Sequence, residues 1–125
     1  DQVASAALYT VKPGYFDAVR EEYKRRRDTV VEALKRIPGV VCECPHGAFY
    51  LMAKLPVDDA DRFQQWLLEE FDDDGETVMF APGASFYQTP GRGVDEIRIA
   101  YVLNCRDSAR AIDLLAKGIA RYNAR

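Results

Sequence analysis

The chain has 125 residues, 48% hydrophobic and 30% charged, enough apolar material for one globular domain with a core. A net charge of -3 and a pI near 5.2 exclude a general nucleic-acid binder, and no apolar run reaches the ~20 residues of a membrane span. No basic-then-apolar secretory signal is visible at the start.

The opening stretch DQVASAALY (Asp1 to Tyr9) is helix-compatible but has no cap of its own, as expected for the end of a helix that began earlier. Pro13 and Gly14 break it. From Tyr15 to Ile37 the apolar positions Phe16, Val19, Tyr23, Val30, Leu34 and Ile37 follow helical spacing, and Pro38 and Gly39 end the helix. Val40 to Cys44 is short and β-branched, a strand. The turn PHG leads into a second strand, Ala48 to Leu55, apolar on both faces until Lys54. Pro56 stops it, and Asp58 or Asp59 can cap the next helix, whose buried stripe is Ala60, Phe63, Leu67 and Phe71 with Trp66 beside it. Thr77 to Phe80 predicts a short strand ended by Pro82 and Gly83. After a loop, Ile97 to Leu103 predicts a long central strand. Asn104 and Asp107 have the spacing of an N-cap with an acid three residues on, and Ile112, Leu115, Ala116 and Ile119 mark a last helix.

This order predicts an α+β two-layer sandwich, a small β-sheet with helices packed on one face. The uncovered face of strands 48–53 and 97–103 is then too apolar for water and calls for cover from outside the chain.

The basic run EYKRRRD reads as a solvated helix face, with Glu21–Arg25, Glu22–Arg26 and Glu32–Arg36 as i,i+4 pairs. The acidic run Asp72 to Glu76 reads as an exposed turn without metal-loop spacing. Cys42, Cys44 and Cys105, with His46 the single histidine, give no zinc pattern; free thiols in a reducing cytoplasm are expected, and no metal site.

Arg98 is the residue that asks for chemistry. A guanidinium inside so apolar a strand needs an anion. Two readings fit: a structural ion pair with Glu43 or Glu96, or a bidentate clamp on a ligand carboxylate, which arginine's planar fork suits. Gly47 either makes a turn or lets a ligand approach the backbone. His46 has no partner in view and reads as a turn residue. Ser85 has neither a nucleophile-elbow context nor a second histidine, so no Ser-His triad is expected. PGRG (Pro90 to Gly93) is a flexible turn rather than a phosphate loop.

Four segments in order then suggest a family: P-x-GAFY (Pro45 to Tyr50), PGASF (Pro82 to Phe86), IRIAY (Ile97 to Tyr101) and the closing amphipathic helix. With Tyr23 to Val40 ahead of them, they resemble the C-terminal small domain of class I/II pyridoxal-phosphate aminotransferases, the aspartate aminotransferase family. The resemblance implies that Arg98 binds the α-carboxylate of an amino-acid substrate and that the backbone of Gly47 lines the substrate site, with Phe49 or Tyr50 adding nearby surface. Pro82, Gly83 and Phe86 match a motif that looks structural. Tyr87 stands where the family often has glycine.

The resemblance further implies an end of an inter-domain helix and linker over residues 1–14 and the small domain over 15–125. The pyridoxal phosphate of the intact protein would be attached to a lysine in a large domain outside this chain, since Lys12, Lys24, Lys35, Lys54 and Lys117 all have solvent-facing explanations. The fragment alone is then expected to be inactive. The intact protein is expected to be a cytoplasmic homodimer moving an amino group between an amino acid, aspartate being a candidate, and a 2-keto acid. Rival readings are a C–S lyase or decarboxylase on the same fold, the aminotransferase-like domain of a transcription regulator, and a non-enzymatic α+β binding module. Neither nucleic acid nor membrane is an expected partner.

Overall fold

A computed structural model describes all 125 residues, Asp1–Arg125. The opening stretch forms a short helix α1 (Gln2–Ala6) and one 3₁₀ turn (Ala7–Thr10), and buries nothing. Helix α2 (Tyr15–Lys35) buries only Val30, Val31 and Leu34. The apolar stripe expected along its whole length is therefore half wrong: Phe16 is 55% and Val19 37% exposed. The first half of α2 runs past the core: Tyr23 packs on its margin, while Phe16 and Val19 only line a hollow beside the His46–Ala48 turn. Along the helix Glu22 pairs with Arg26 at 2.8 Å and with Arg25, whereas the expected Glu21–Arg25 and Glu32–Arg36 pairs do not form.

Four antiparallel strands follow: β1 (Val41–Cys42), β2 (Tyr50–Lys54), β3 (Ala81–Pro82) and β4 (Glu96–Ala100), in the spatial order β1-β2-β4-β3. Three are shorter than their sequence patterns predict, and one lies elsewhere. Thr77 to Phe80 is not a strand, because its polar groups are used by helix α3 (Ala60–Glu69): the Thr77 hydroxyl donates to the Leu67 carbonyl at 2.7 Å, and the Phe80 N–H donates to Gln64 Oε1 at 2.9 Å. Pairing with β4 begins only at Ala81 and includes Pro82, on a sheet edge where the missing N–H costs nothing. The expected run to Leu103 stops at Ala100, opposite Tyr50; one further bond, Tyr101 N–H to the Phe49 carbonyl at 2.9 Å, closes the ladder.

Helix α3 starts where predicted. Asp59 is the cap and accepts from the Arg62 N–H at 3.0 Å. Helix α4 (Cys105–Asn123) is capped by Asn104, which accepts from the Asp107 N–H at 2.9 Å and donates back to its carboxylate at 2.7 Å. The two helices approach closely at Gly118, where a Cβ would lie 2.7 Å from Leu67 Cδ2. Phe63, Trp66 and Leu67 of α3, Ile112, Leu115 and Ile119 of α4, and Val30 and Leu34 of α2 form one core with Leu51, Ala53 and Ile97 of the sheet. All the packed helices thus lie on one face, the α+β sandwich that the element order predicts.

The acidic turn is more than an exposed connection. Asp73 is largely covered and binds Lys117 at 2.7 Å, Arg110 at 2.9 Å and Arg121 at 3.5 Å, fastening residues 72–76 to α4. Lys117 first, then Arg110, hold its carboxyl below the ordinary value of 3.8.

Candidate functional site

In the register of the sheet, residues directly opposite share a face. Leu51 faces Ile99 and Ala53 faces Ile97, toward the helices; Tyr50 faces Ala100, Met52 faces Arg98 and Lys54 faces Glu96, on the other side. Arg98 is consequently exposed on the open face of a central strand, not buried within it. The sheet face left uncovered by the chain is the one the sequence predicts, and Arg98 stands on it.

The structural ion pair is also absent. Arg98 makes no salt bridge: Glu43 does not reach it, and Glu96, its neighbour two residues back on the same face, instead accepts a 2.5 Å hydrogen bond from the Tyr87 hydroxyl. What Arg98 has is two rings. Its Cζ lies 4.7 Å from the Phe86 centroid and 5.5 Å from that of Tyr50. Aromatic faces hold a guanidinium by cation–π attraction while leaving its N–H fork unspent. The segment Ala84–Phe86, a 3₁₀ turn after Gly83, brings Phe86 there; the Gly83 N–H donates to the Glu96 carbonyl at 2.7 Å and fixes that turn against β4.

Gly47 lies in an exposed turn, and a Cβ there would meet nothing within 4 Å. Its φ is not positive; the left-handed residue of the turn is Ala48, at φ 63°. The turn is braced by Tyr101, a buried residue whose hydroxyl lies 3.2 Å from the Gly47 carbonyl and 3.1 Å from that of Ala48. Burial pushes the Tyr101 phenol above its ordinary value, which keeps it a donor. One strand, β4 with its extension, therefore carries Arg98 and fixes the Gly47 turn. His46 and Ser85 are exposed, with no acid or base partner.

Beside β4 runs an apolar cleft of about 300 Å³, lined among others by Val78, Met79, Phe80, Ile99, Val102 and Leu103. It exists because β3 pairs for only two residues and leaves the rest of that edge open. The five lysines are all exposed, and two are committed: Lys54 to Asp95 at 3.0 Å and Lys117 to Asp73. None sits in an enclosed, dry setting suited to covalent attachment, so the residues of this chain do not fit a pyridoxal phosphate. Cys42, Cys44 and Cys105 are free thiols.

Sequence reasoning missed Phe86 as a neighbour of Arg98, and Tyr87, Glu96 and Tyr101 as supports. Phe86 and Tyr101 had a signal, their places in the PGASF and IRIAY segments; the bond between Tyr87 and Glu96 depends on a register that the sequence does not print.

The family model for class I and II aminotransferases matches residues 1–114. The chain belongs to that family. It is 33% identical over 108 residues to an aspartate aminotransferase of Musicola paradisiaca, covering 82% of this chain and 24% of that protein. Aspartate aminotransferase from Thermus thermophilus, solved with maleate, superposes with a TM-score of 0.68 at 26% identity, over 84% of this chain and 25% of that one. The Thermus thermophilus α-aminoadipate aminotransferase, solved with N-(5′-phosphopyridoxyl)-L-leucine, gives 0.73 at 24% identity, over 93% and 30%; that likeness is one of fold. The chain spans about a quarter of the length of the curated relatives it matches. No helix in it is long and apolar enough to cross a membrane.

Proposed function

We propose that residues 15–125 are the substrate-binding small domain of a pyridoxal-phosphate-dependent aminotransferase, with residues 1–14 the end of an inter-domain helix and linker. The observation that carries this reading is Arg98: a guanidinium on the open face of a central strand, backed by two rings, with no carboxylate of its own chain, in a member of this family. Its ligand is the α-carboxylate of an amino acid or 2-keto acid, held by two parallel N–H···O bonds. The maleate in the Thermus relative, itself a dicarboxylate, supports a carboxylate ligand here. Aspartate is the first amino donor to test, as the relative named above is an aspartate aminotransferase.

In that role the chain positions and shields. Arg98 fixes one end of the substrate, so binding energy becomes orientation of the Cα–H bond. Tyr50 and Phe86 flank the clamp and keep water from one side of it, which strengthens the ion pair with the substrate. The turn at Gly47 offers backbone without side chain to the same ligand. Pyridoxal phosphate, held by the rest of the intact protein, would supply the electron sink for chemistry at Cα. The large domain and a second subunit cover the open face, and the free thiols fit a cytoplasmic setting.

The test is Arg98→Lys in the intact enzyme. It keeps the charge and loses the fork, at a cost of about 2–5 kcal/mol in carboxylate binding, or roughly tens to thousands in kcat/KM. The loss falls alike on every amino-acid substrate, since all share the α-carboxylate. A near-normal kcat/KM together with a lowered melting temperature would return Arg98 to a structural role and end this reading.

A further inference from the structure

Arg98 is free because something else occupies Glu96. We propose that Tyr87 is a positioning residue: by binding the Glu96 carboxylate it withdraws the one acid among the strand residues of the open face, leaving the Arg98 guanidinium available to a substrate carboxylate. The inference rests on the reading of Arg98 given above.

Residues two apart on a strand project to the same side about 6.5–7 Å apart, a span that glutamate and arginine side chains bridge readily. Glu96 and Arg98 are such a pair, yet they do not meet. The Tyr87 hydroxyl donates to Glu96 Oε2 at 2.5 Å, a charge-assisted bond that turns the carboxylate toward the loop. That bond also raises the pKa of the phenol, so Tyr87 stays protonated and remains a donor. The other nearby charges are committed or unsuited: Lys54, opposite Glu96, pairs with Asp95, and Arg92 acts on Tyr87 only at a distance.

Tyr87 is held in place to do this. Its ring lies close against Gly93, so near that a Cβ there would overlap Cδ2 and Cε2, and Gly93 has φ +70°. The Gly93 carbonyl accepts the Glu96 N–H at 3.1 Å, while the Gly83 N–H donates to the Glu96 carbonyl. The backbone of Glu96 is thus fixed from both sides, and only its side chain has a choice of partner. Adjacent residues of one turn divide the work: Phe86 backs the cation, and Tyr87 removes the competing anion. A glycine at position 87 could do neither part of the second task.

The experiment uses the full-length enzyme loaded with cofactor and measures maleate inhibition and the KM for L-aspartate in Y87F, E96Q, Y87F/E96Q and R98K. Y87F frees Glu96 to pair with Arg98, and maleate affinity should fall by roughly fivefold, the size of an exposed ion pair. Removing the charge in Y87F/E96Q should restore affinity to within about twofold of the parent, and E96Q alone should leave it unchanged on the same scale. A merely structural role for Tyr87 predicts no rescue, and an equal loss in the double variant overturns the proposal. So does a Y87F enzyme that binds maleate normally while R98K does not. If R98K binds maleate normally, the reading of Arg98 fails, and this inference with it. Should Y87F not fold, E96Q remains decisive: a fivefold loss there would give Glu96 a direct part in binding and overturn the proposal.

Discussion

The two faces of the sheet are made by alternate residues of the same strands, yet they are opposite in character. On one, Leu51, Ala53 and Ile97 are at most 3% exposed beneath three helices. On the other, Tyr50 and Arg98 stand in the open, with Phe86 and Val102 nearly half exposed beside them. The covered face is complete without help: its packing closes around Phe63 and Leu34, both fully buried. The open face carries the charges of Lys54, Glu96 and Arg98 beside the rings of Tyr50 and Phe86, where the covered face has no charge. If Arg98 binds as proposed, stability and ligand recognition are written on different parities of one strand, and a substitution should act on one and spare the other.

The largest expected effect is on the covered face. Phe63→Ala removes a ring that packs on Trp66, Phe80 and Tyr122, and should cost about 3–5 kcal/mol, read as a lowered denaturant midpoint. A loss under about 1 kcal/mol would mean that the core tolerates a hole at its centre, and the division between faces would not hold.

A smaller effect concerns the charges that brace the covered half. Asp73, its carboxyl held down by Lys117 and Arg110, stabilises the fold fully above the ordinary value of 3.8, and that contribution is lost as pH falls through its lower folded value. Asp73→Asn should lower the melting temperature at neutral pH and flatten its acid limb. Parallel melting curves for variant and parent from neutral to acid pH would refute the role of Asp73 as hub.

The smallest effect tests the exposed turn at the end of the sheet. Gly47→Ala adds a methyl into space, at a φ that alanine accepts, so stability should change by less than about 0.5 kcal/mol. Any larger loss of kcat/KM in the intact enzyme would then come from a ligand or another domain close to that backbone. If Gly47→Ala lowers the melting temperature by several degrees, the turn is doing structural work instead.

How much of this could be read from the residues follows from the range of the forces involved. The caps at Asp59 and Asn104 are local bonds spanning three residues, and they stand where the spacing puts them. Arg98 was visible as a charge in an apolar run, but which way it points depends on the pairing of Met52 with Arg98, a contact made across the sheet. The same non-local cause moved β3: Thr77 to Phe80 has strand composition, and α3 claims its polar groups. The exposed start of α2 misled because periodicity reports which face is apolar, not whether anything lies against it. Tyr87 looked like a departure from pattern until its bond to Glu96 gave it a task.

The outer strands β1 and β3 are only two residues long, and β3 contains Pro82. A sheet with such stunted margins has almost no free backbone on which a foreign strand could grow, so fibre-like stacking has little purchase. Chains that meet one another would instead do so through the open face of the sheet. Two copies joined by the same surface hide it in each other and stop at a pair, a self-limiting form of association that leaves the fold intact and able to be reclaimed.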